Sequence, residues 1–598
     1  MKNKKVTVNI ISILIILILL LVLSYAFFKT QLSGTEGIVK VGELELVLNE
    51  TSEGIKLDNA IGLSDSEGLS LDSSTFKLIN NGSKAVDYII YLDDNTIEDT
   101  DTRIDDKYLK YNLNKNGINS GASMLTSIGK SPKRILDSGT IEGKGTNEYS
   151  LNLWITSDVD GNYSGQVFSG KLRVEVSQER PKPNTPELDT NMIAIRYNGS
   201  DFLKADSSTN SWYNYDKQEW ANAVTVSSNT RDRYLEAEVG TKIDMADIET
   251  MWVWIPRYSY SIGSEDGKKY YGKQGDYLDS TPTMALPGEI DVKFVDKNTK
   301  DRGTAKYVVS EGIERDSWYT PDAFTFGNEE LSGIWVGKFE TSSSNPSAGS
   351  GGGNTTSLDP MIKPNVTSWR NITVSNIYQV GLKLSAVGNR YGFSENMNSH
   401  AMRNDEWGAV AYLSQSRYGK LGNENFKGAN KEVYQNKSNS YITGCSYGAP
   451  SNGNTDYGCQ YTYDANINGT GASTTGTIYG VYDMSGGAWE YVMGNYNDVS
   501  GNSGFSNPLT IDSKYYNKYT NTDVSIACNG SECLSHGLSE TSGWYNDSHS
   551  MVMIEGWPWL VRGGVYSVDD AGVFGFYVAV GGAGVNSSFR LVMSVISP

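Results

Sequence analysis

Leu172, Val174 and Val176 alternate with Lys171, Arg173 and Glu175. An apolar period of two suits a strand with one face in a core and one in solvent, and it does not suit a helix. The same alternation runs through Phe76 and Leu78, then through Val86, Tyr88, Ile90 and Leu92 after a turn signal at Asn80-Asn81-Gly82. It returns in Leu109, Tyr111 and Leu113, and again in Tyr149, Leu151, Leu153 and Ile155. Several half-buried antiparallel strands separated by turns predict a β-sandwich over residues 32–178.

Before this region, Lys2, Lys4 and Lys5 precede an apolar run from Ile10 to Phe28. Roughly 20 apolar residues suffice to cross a bilayer. The run leads through Ser24-Tyr25-Ala26-Phe27-Phe28 into Lys29, and it is longer than the apolar region of a cleaved signal peptide, the competing reading. Residues 1–31 are expected to be an uncleaved single-pass membrane anchor, with the lysines in the cytoplasm and the remainder outside the cell. The net charge of -19 leaves no basic surface for phosphates, so nucleic acid is not an expected partner.

Residues 179–190 read as a linker, because Arg180 to Pro186 holds three prolines in seven residues and should stay extended. Residues 191–249 follow as an aromatic segment, with Ser211 to Val224 predicted as a hairpin. Met251 to Ile262 and Gly333 to Glu340 read as strands, and the glycine-rich stretch from Ser343 to Thr355 as a flexible loop. A helix is expected from Asn404 to Gln415, capped by Asn404 or Asp405, with Trp407, Val410, Ala411 and Leu413 turned inward.

The last stretch, Leu560 to Met593, has framework-like ends, Arg562-Gly563-Gly564 and Phe589-Arg590-Leu591-Val592. From Val565 to Ser588 there is no Lys, Glu, Gln, Met or Trp. Small residues with Tyr and Asn suit a contact surface, where they give adaptable contacts at low entropic cost. The four cysteines, Cys445, Cys459, Cys528 and Cys533, fall in loops expected outside the membrane, which favours the disulfides Cys445–Cys459 and Cys528–Cys533.

Two resemblances sharpen these expectations. The anchor followed by LKYNLNKNG, TNEYSLNLWIT and FSGKLRVEV resembles the camelysin and TasA-like surface domains of Gram-positive bacteria. The strings VWIPRY (Val253 to Tyr258), WVGKFE (Trp335 to Glu340), RNDEWGAVAYL (Arg403 to Leu413), GVYDMSGGAWEYV (Gly480 to Val492) and RGG to FRLV (Arg562 to Val592) resemble the formylglycine-generating enzyme (sulfatase-modifying factor) family. The departures include Gly487 and Tyr491, where the family has Asn and Trp. This resemblance implies a C-type-lectin-like α+β domain with long irregular loops over residues 250–598. The expected fold class is therefore mainly β with some α.

The resemblance also implies a structural calcium ion held by the side chains of Asp483 and Glu490 and the backbone oxygens of Gly486 and Ala488, an all-oxygen set suited to a hard cation; the alternative is that Asp483 caps the turn and Glu490 pairs with a neighbour. Catalytic members bind copper through a cysteine pair just after the RGG-type motif. The corresponding Val565 to Asp570 has no cysteine, so neither copper nor oxidase chemistry is expected. The RGG–AGVF–FRLV pattern resembles instead the variable proteins of diversity-generating retroelements, which display a hypervariable C-terminal surface on this fold. There, an AAC asparagine codon becomes any NNC codon, a set that encodes no Lys, Glu, Gln, Met or Trp. The variable contact positions implied are Val565, Tyr566, Ser567, Val568, Asp569, Tyr577, Val578, Ala579, Val580, Gly582, Gly584, Val585, Ser587 and Ser588. Ala571, Gly572, Val573, Phe574 and Phe576 would be scaffold.

The function expected on this basis is non-catalytic ligand binding at the cell surface, toward a protein, glycan or phage partner. Alternatives are a formylglycine-generating-type oxidase and a structural surface or matrix protein.

Overall fold

The computed structural model describes residues 31–596 apart from 34–35, 42–43, 51–54, 59–60, 82–85, 98–100, 133, 142–143, 158–165, 178–181, 210–211, 263–288, 309–313, 347–348, 450–456, 521–532, 539 and 551–552. The expected membrane anchor lies outside the described residues, except that Gln31 begins a strand, Gln31–Ser33. Among the described residues no helix is long and apolar enough to cross a membrane. The chain is mainly β with a few helices and divides into two compact units near Arg180–Pro181.

In the first unit, two sheets enclose one core. One runs Gln31–Ser33, Gln166–Ser177, Val86–Asp94, Ile135–Ile141. The other runs Ile118–Asn119, Leu109–Lys115, Thr146–Thr156, Ser74–Asn80, Leu44–Glu50, Glu36–Val41. The alternating residues meet between them: Phe76, Leu78, Tyr88, Ile90, Leu92, Leu109, Leu151, Ile155, Leu172 and Val174 are all buried in a single cluster. A polar clamp also bridges the sheets. Tyr88 and Tyr149 donate their hydroxyls to Asp137 at 2.9 and 2.6 Å, and Lys115 pairs with the same carboxylate at 2.9 Å. The buried phenols thus find partners, as groups removed from water must.

The two units meet in the proline-rich stretch expected as a linker. From Pro183 onward it is packed on the second unit. Asn184 donates to the carbonyls of Val295 and Ser332 at 2.8 Å and accepts from the Trp254 indole at 3.1 Å. The Trp335 indole donates to Glu187 O at 2.7 Å. Extended backbone leaves its carbonyls unpaired, and two buried tryptophans use them.

The second unit is built on a seven-stranded sheet ordered Phe202–Lys204, Ile193–Tyr197, Asn222–Val226, Ile248–Pro256, Gly333–Gly337, Leu591–Val595, Met397–Ala401. The run expected as one strand from Met251 is two, Ile248–Pro256 and Tyr258–Ile262, and the second belongs to a separate four-stranded sheet. The aromatic hairpin is shorter than predicted: Asn214 and Glu219 exchange backbone hydrogen bonds around a 3-10 turn at Tyr215–Lys217. The glycine-rich loop is pinned, with Trp369 donating to Gly353 O and the Arg370 amide to Ser350 O, both at 2.8 Å.

The expected helix spans Asn404–Ser414, but Arg403 precedes it as N-cap, and the Glu406 carboxylate accepts the Arg403 amide at 2.7 Å. It is buried on every face rather than along a stripe, and residues 535–536 pack against it at Gly408. A Cβ on Gly408 would lie 2.0 Å from Ser535 O.

Candidate functional site

A five-stranded sheet presents the terminal segment. Trp559–Arg562 pairs with Trp489–Tyr496 on one side and Phe576–Ala579 on the other, while Ser587–Phe589 runs parallel to Trp489–Tyr496. Arg562 ends the central strand fully buried. Its guanidinium donates to Asn404 Oδ1 and to the carbonyls of His536, Gly537 and Val573. Gly563 and Gly564 then adopt φ of 83° and 80°, a region that glycine alone enters without strain. These two residues turn the chain outward.

Between the outward stretches, the segment Ala571 to Phe576 returns to the core, where all six residues are buried. The Phe574 amide donates to Asp547 at 2.9 Å, and the Trp407 indole donates to Val573 O at 2.8 Å. The expected scaffold residues thus hold the base of the site.

The fourteen expected contact positions divide by exposure. Ser567, Asp569, Tyr577 (49 % exposed) and Val585 (64 %) are open to solvent. Tyr566, Val568, Val578, Ala579, Val580, Gly582, Gly584 and Ser587 are half-buried. Val565 and Ser588 are buried and are corrected to scaffold. Val565 packs in a small cluster with Tyr441 and Ala488, and Ser588 sits opposite Glu490 on the inward phase of its strand.

The segment is gripped by its main chain. Gly487 O accepts the Tyr566 amide at 3.0 Å, and the Gln435 side-chain amide donates to the carbonyls of Val565 and Val568. Val580 O accepts from the Asn502 amide, Gly581 O from Val374, and Gly584 O from Asn371. The Tyr491 hydroxyl donates to Gly582 O at 3.0 Å, Arg370 donates to Val585 O, and the Trp489 amide donates to Asn586 O at 2.8 Å. Phe576–Ala579 is held by its ladder to Trp559–Arg562. None of these bonds depends on which side chain the gripped residue carries.

Residues outside the segment contribute to the same face. Tyr566 lies edge-on to Tyr441 and Tyr457, with ring centroids at 5.0 and 5.4 Å, and Tyr577 leans on Trp489 at 6.1 Å. Arg370 covers the Tyr441 ring at 3.7 Å, and Lys437 pairs with Asp569 at 2.6 Å. Sequence reasoning did not single out these five residues. The one available signal was the position of Trp489 inside GVYDMSGGAWEYV and of Tyr457 inside the loop closed by the Cys445–Cys459 disulfide, which is present. Of the other expected pair, Cys533 is buried and Cys528 lies outside the described residues.

The calcium set is arranged differently from the expectation. Glu490 is paired through both oxygens with Arg590 at 2.5 and 3.0 Å. Asp483 accepts Asn436 Nδ2 at 2.9 Å and the amides of Gly444 and Glu340. Glu340, which accepts the Ala488 amide at 2.9 Å, is pushed well above the usual carboxylate range by burial and by the charges of Glu490 and Asp483. Among the described residues no group of three or more His, Cys, Asp or Glu side chains is placed to hold a metal ion. Asp483 and Glu490 thus have hydrogen-bond partners within the chain. The chain matches no family model and no curated protein.

If the grip is independent of side chain, Tyr577→Ser and Val585→Ser will each change unfolding free energy by no more than about 0.5 kcal/mol, the ordinary range for surface substitutions. Chemical denaturation followed by tryptophan fluorescence measures this. A loss well beyond that range at Val585 would show that its side chain is part of the framework.

Proposed function

We propose that this chain is a ligand-binding protein of the cell surface, non-catalytic, whose terminal segment is a diversified contact face of the retroelement type on a C-type-lectin-like scaffold of the formylglycine-generating-enzyme kind. The observation that carries the reading is the main-chain grip on Val565 to Asn586. A fold that must accept many side chains at one place needs anchors that no substitution removes. Backbone carbonyls and amides are such anchors, since each residue carries them whatever its side chain.

The exposed positions also carry the residue types that the codon argument allows, while the buried Ala571 to Phe576 separates them into two variable stretches. Trp489, Tyr441 and Tyr457 supply a constant aromatic part beside the variable one. Aromatic rings at the centre of an interface contribute large contact area at low entropic cost. The partner is a protein, a glycan or a phage surface; the N-terminal run anchors the chain in the membrane, and the first unit is a TasA-like surface domain. The absence of cysteine between Val565 and Asp570 supports the non-catalytic reading.

Deep sequencing of the locus in a growing population tests it. Substitutions should concentrate at the solvent-facing and half-buried positions, Tyr566, Ser567, Val568, Asp569, Tyr577 and Val585 among them. Arg562 to Gly564, Ala571 to Phe576 and Phe589 to Val592 should stay constant. Substitutions spread evenly over the segment would end the proposal, as would copper-dependent conversion of a peptide cysteine to an aldehyde by the purified chain.

A further inference from the structure

The two outward stretches of the terminal segment stand on different supports. Val565 to Asp569 rests on Gln435, Asn436 and Lys437. Gln435 donates its side-chain amide to the carbonyls of Val565 and Val568, and Lys437 pairs with Asp569. Asn436 O accepts the amide of Gly487, whose carbonyl in turn holds the Tyr566 amide. Tyr577 to Ser588 is anchored elsewhere, by Arg370, Val374, Tyr491, Asn502 and the strand Trp559–Arg562.

Gln435 and Lys437 are clasped by the two ends of one disulfide loop, Cys445–Cys459. Beside Cys445, the Tyr447 amide donates to Gln435 O at 2.9 Å. Beside Cys459, the Gly458 amide donates to Lys437 O, also at 2.9 Å. Tyr457 next to it lies edge-on to Tyr566 and donates its hydroxyl to Ser567 O at 3.4 Å. Opening the disulfide returns chain entropy to the loop and removes the covalent tie that keeps Tyr457, Gly458 and Cys459 in place. The two cysteines also differ in access: Cys445 is fully buried and Cys459 is exposed.

We propose that the Cys445–Cys459 bond is a redox-sensitive clasp, whose opening loosens the first outward stretch and leaves the second as it was. A thiolate of a dithiol reductant attacks the exposed Cys459 sulfur, the S–S bond breaks, and Cys445 leaves as a thiolate that takes up a proton. The second thiol of the reductant, as its thiolate, then displaces Cys459, which is protonated in turn. The reductant leaves as a disulfide and both cysteines remain as thiols. Half of the contact face is thereby tied to the oxidising conditions outside a cell. Naming these stretches a contact face rests on the function proposed above, whereas the exchange rates below report their support alone, so failure of one is distinct from failure of the other.

Amide hydrogen exchange of the full chain with and without dithiothreitol tests this, read on peptides covering residues 565–570 and 576–588. Alkylation and mass measurement verify that the bond is open. The reductant should speed exchange of the first peptide at least about tenfold and leave the second within about twofold. Cys528→Ser/Cys533→Ser, which leaves Cys445 and Cys459 as the only cysteines, should respond as the wild type does. Cys445→Ser/Cys459→Ser should exchange at the fast rate in both media. An unchanged first peptide in the reduced protein overturns the proposal, and so does equal acceleration of both peptides. Should either variant not fold, the contrast between the two peptides of the wild type decides alone.

Discussion

Replacing Gly572 with alanine is expected to destabilise the second unit by about 2–3 kcal/mol. A Cβ at this position would lie 2.1 and 2.2 Å from the two carboxylate oxygens of Asp547. Asp547 is buried, and its carboxylate holds the Phe574 amide. Displacing it leaves a buried N–H without a partner and moves the turn on which both halves of the display segment hang. Gly582→Ala is the control. Its Cβ would meet nothing closer than 3.5 Å, so its unfolding free energy should stay within about 0.5 kcal/mol of wild type. Denaturant midpoints of the two variants measure the contrast, and a Gly572→Ala protein as stable as Gly582→Ala would remove the turn from the framework.

The same contrast shows what could be read from the residues. Alternation over four to eight residues carries its own phase, so the inward set of the first unit, from Phe76 to Val174, was legible one residue at a time. Val565 and Ser588 were not legible. Each lies in a stretch of three or four residues whose phase is set by what precedes it: two left-handed glycines for Val565, and a parallel pairing with Glu490 for Ser588. The extended linker was legible, but proline says nothing about which buried indoles will bond to its carbonyls. The partner of Glu490 was not legible for a related reason. Asp483 and Glu490 stand at the spacing of the resembling motif, yet the group that engages Glu490 is Arg590, 100 residues away in the chain and brought there by sheet order. Tyr441, Tyr457 and Trp489 were not singled out because tertiary packing sets them against the terminal segment.

Asp547 gives the second unit a pH dependence with a sign opposite to that of ordinary acid denaturation. Burial raises its carboxyl group to about 7, against the pull of the Phe574 and Gly575 amides and Arg562, and the nearby Asp570 raises it further. Glu432, which faces it, is also held well above the usual range by burial and by the charge of Asp547. An unfolded aspartate titrates near pH 3.9. The folded chain therefore binds this proton more tightly, and the associated stability is complete below about pH 4 and lost as pH rises through about 7. Three pH units of difference correspond to roughly 4 kcal/mol at most, and structural relaxation around the ionised group will reduce this. His536 acts in the other direction: burial, then Arg403 and Arg562, depress it to about 3, so its contribution is lost as pH falls below the normal histidine range. The difference between two proteins that share His536 isolates the aspartate. Asp547→Asn keeps an oxygen for the Phe574 amide but carries no proton to lose, so its stability should fall less than that of the wild type between pH 5 and pH 8. The two stability curves should converge or cross near neutrality, as measured by urea unfolding at each pH. Parallel curves would mean that the Asp547 carboxyl titrates at its unfolded value and that another group holds the turn at Gly572 in place.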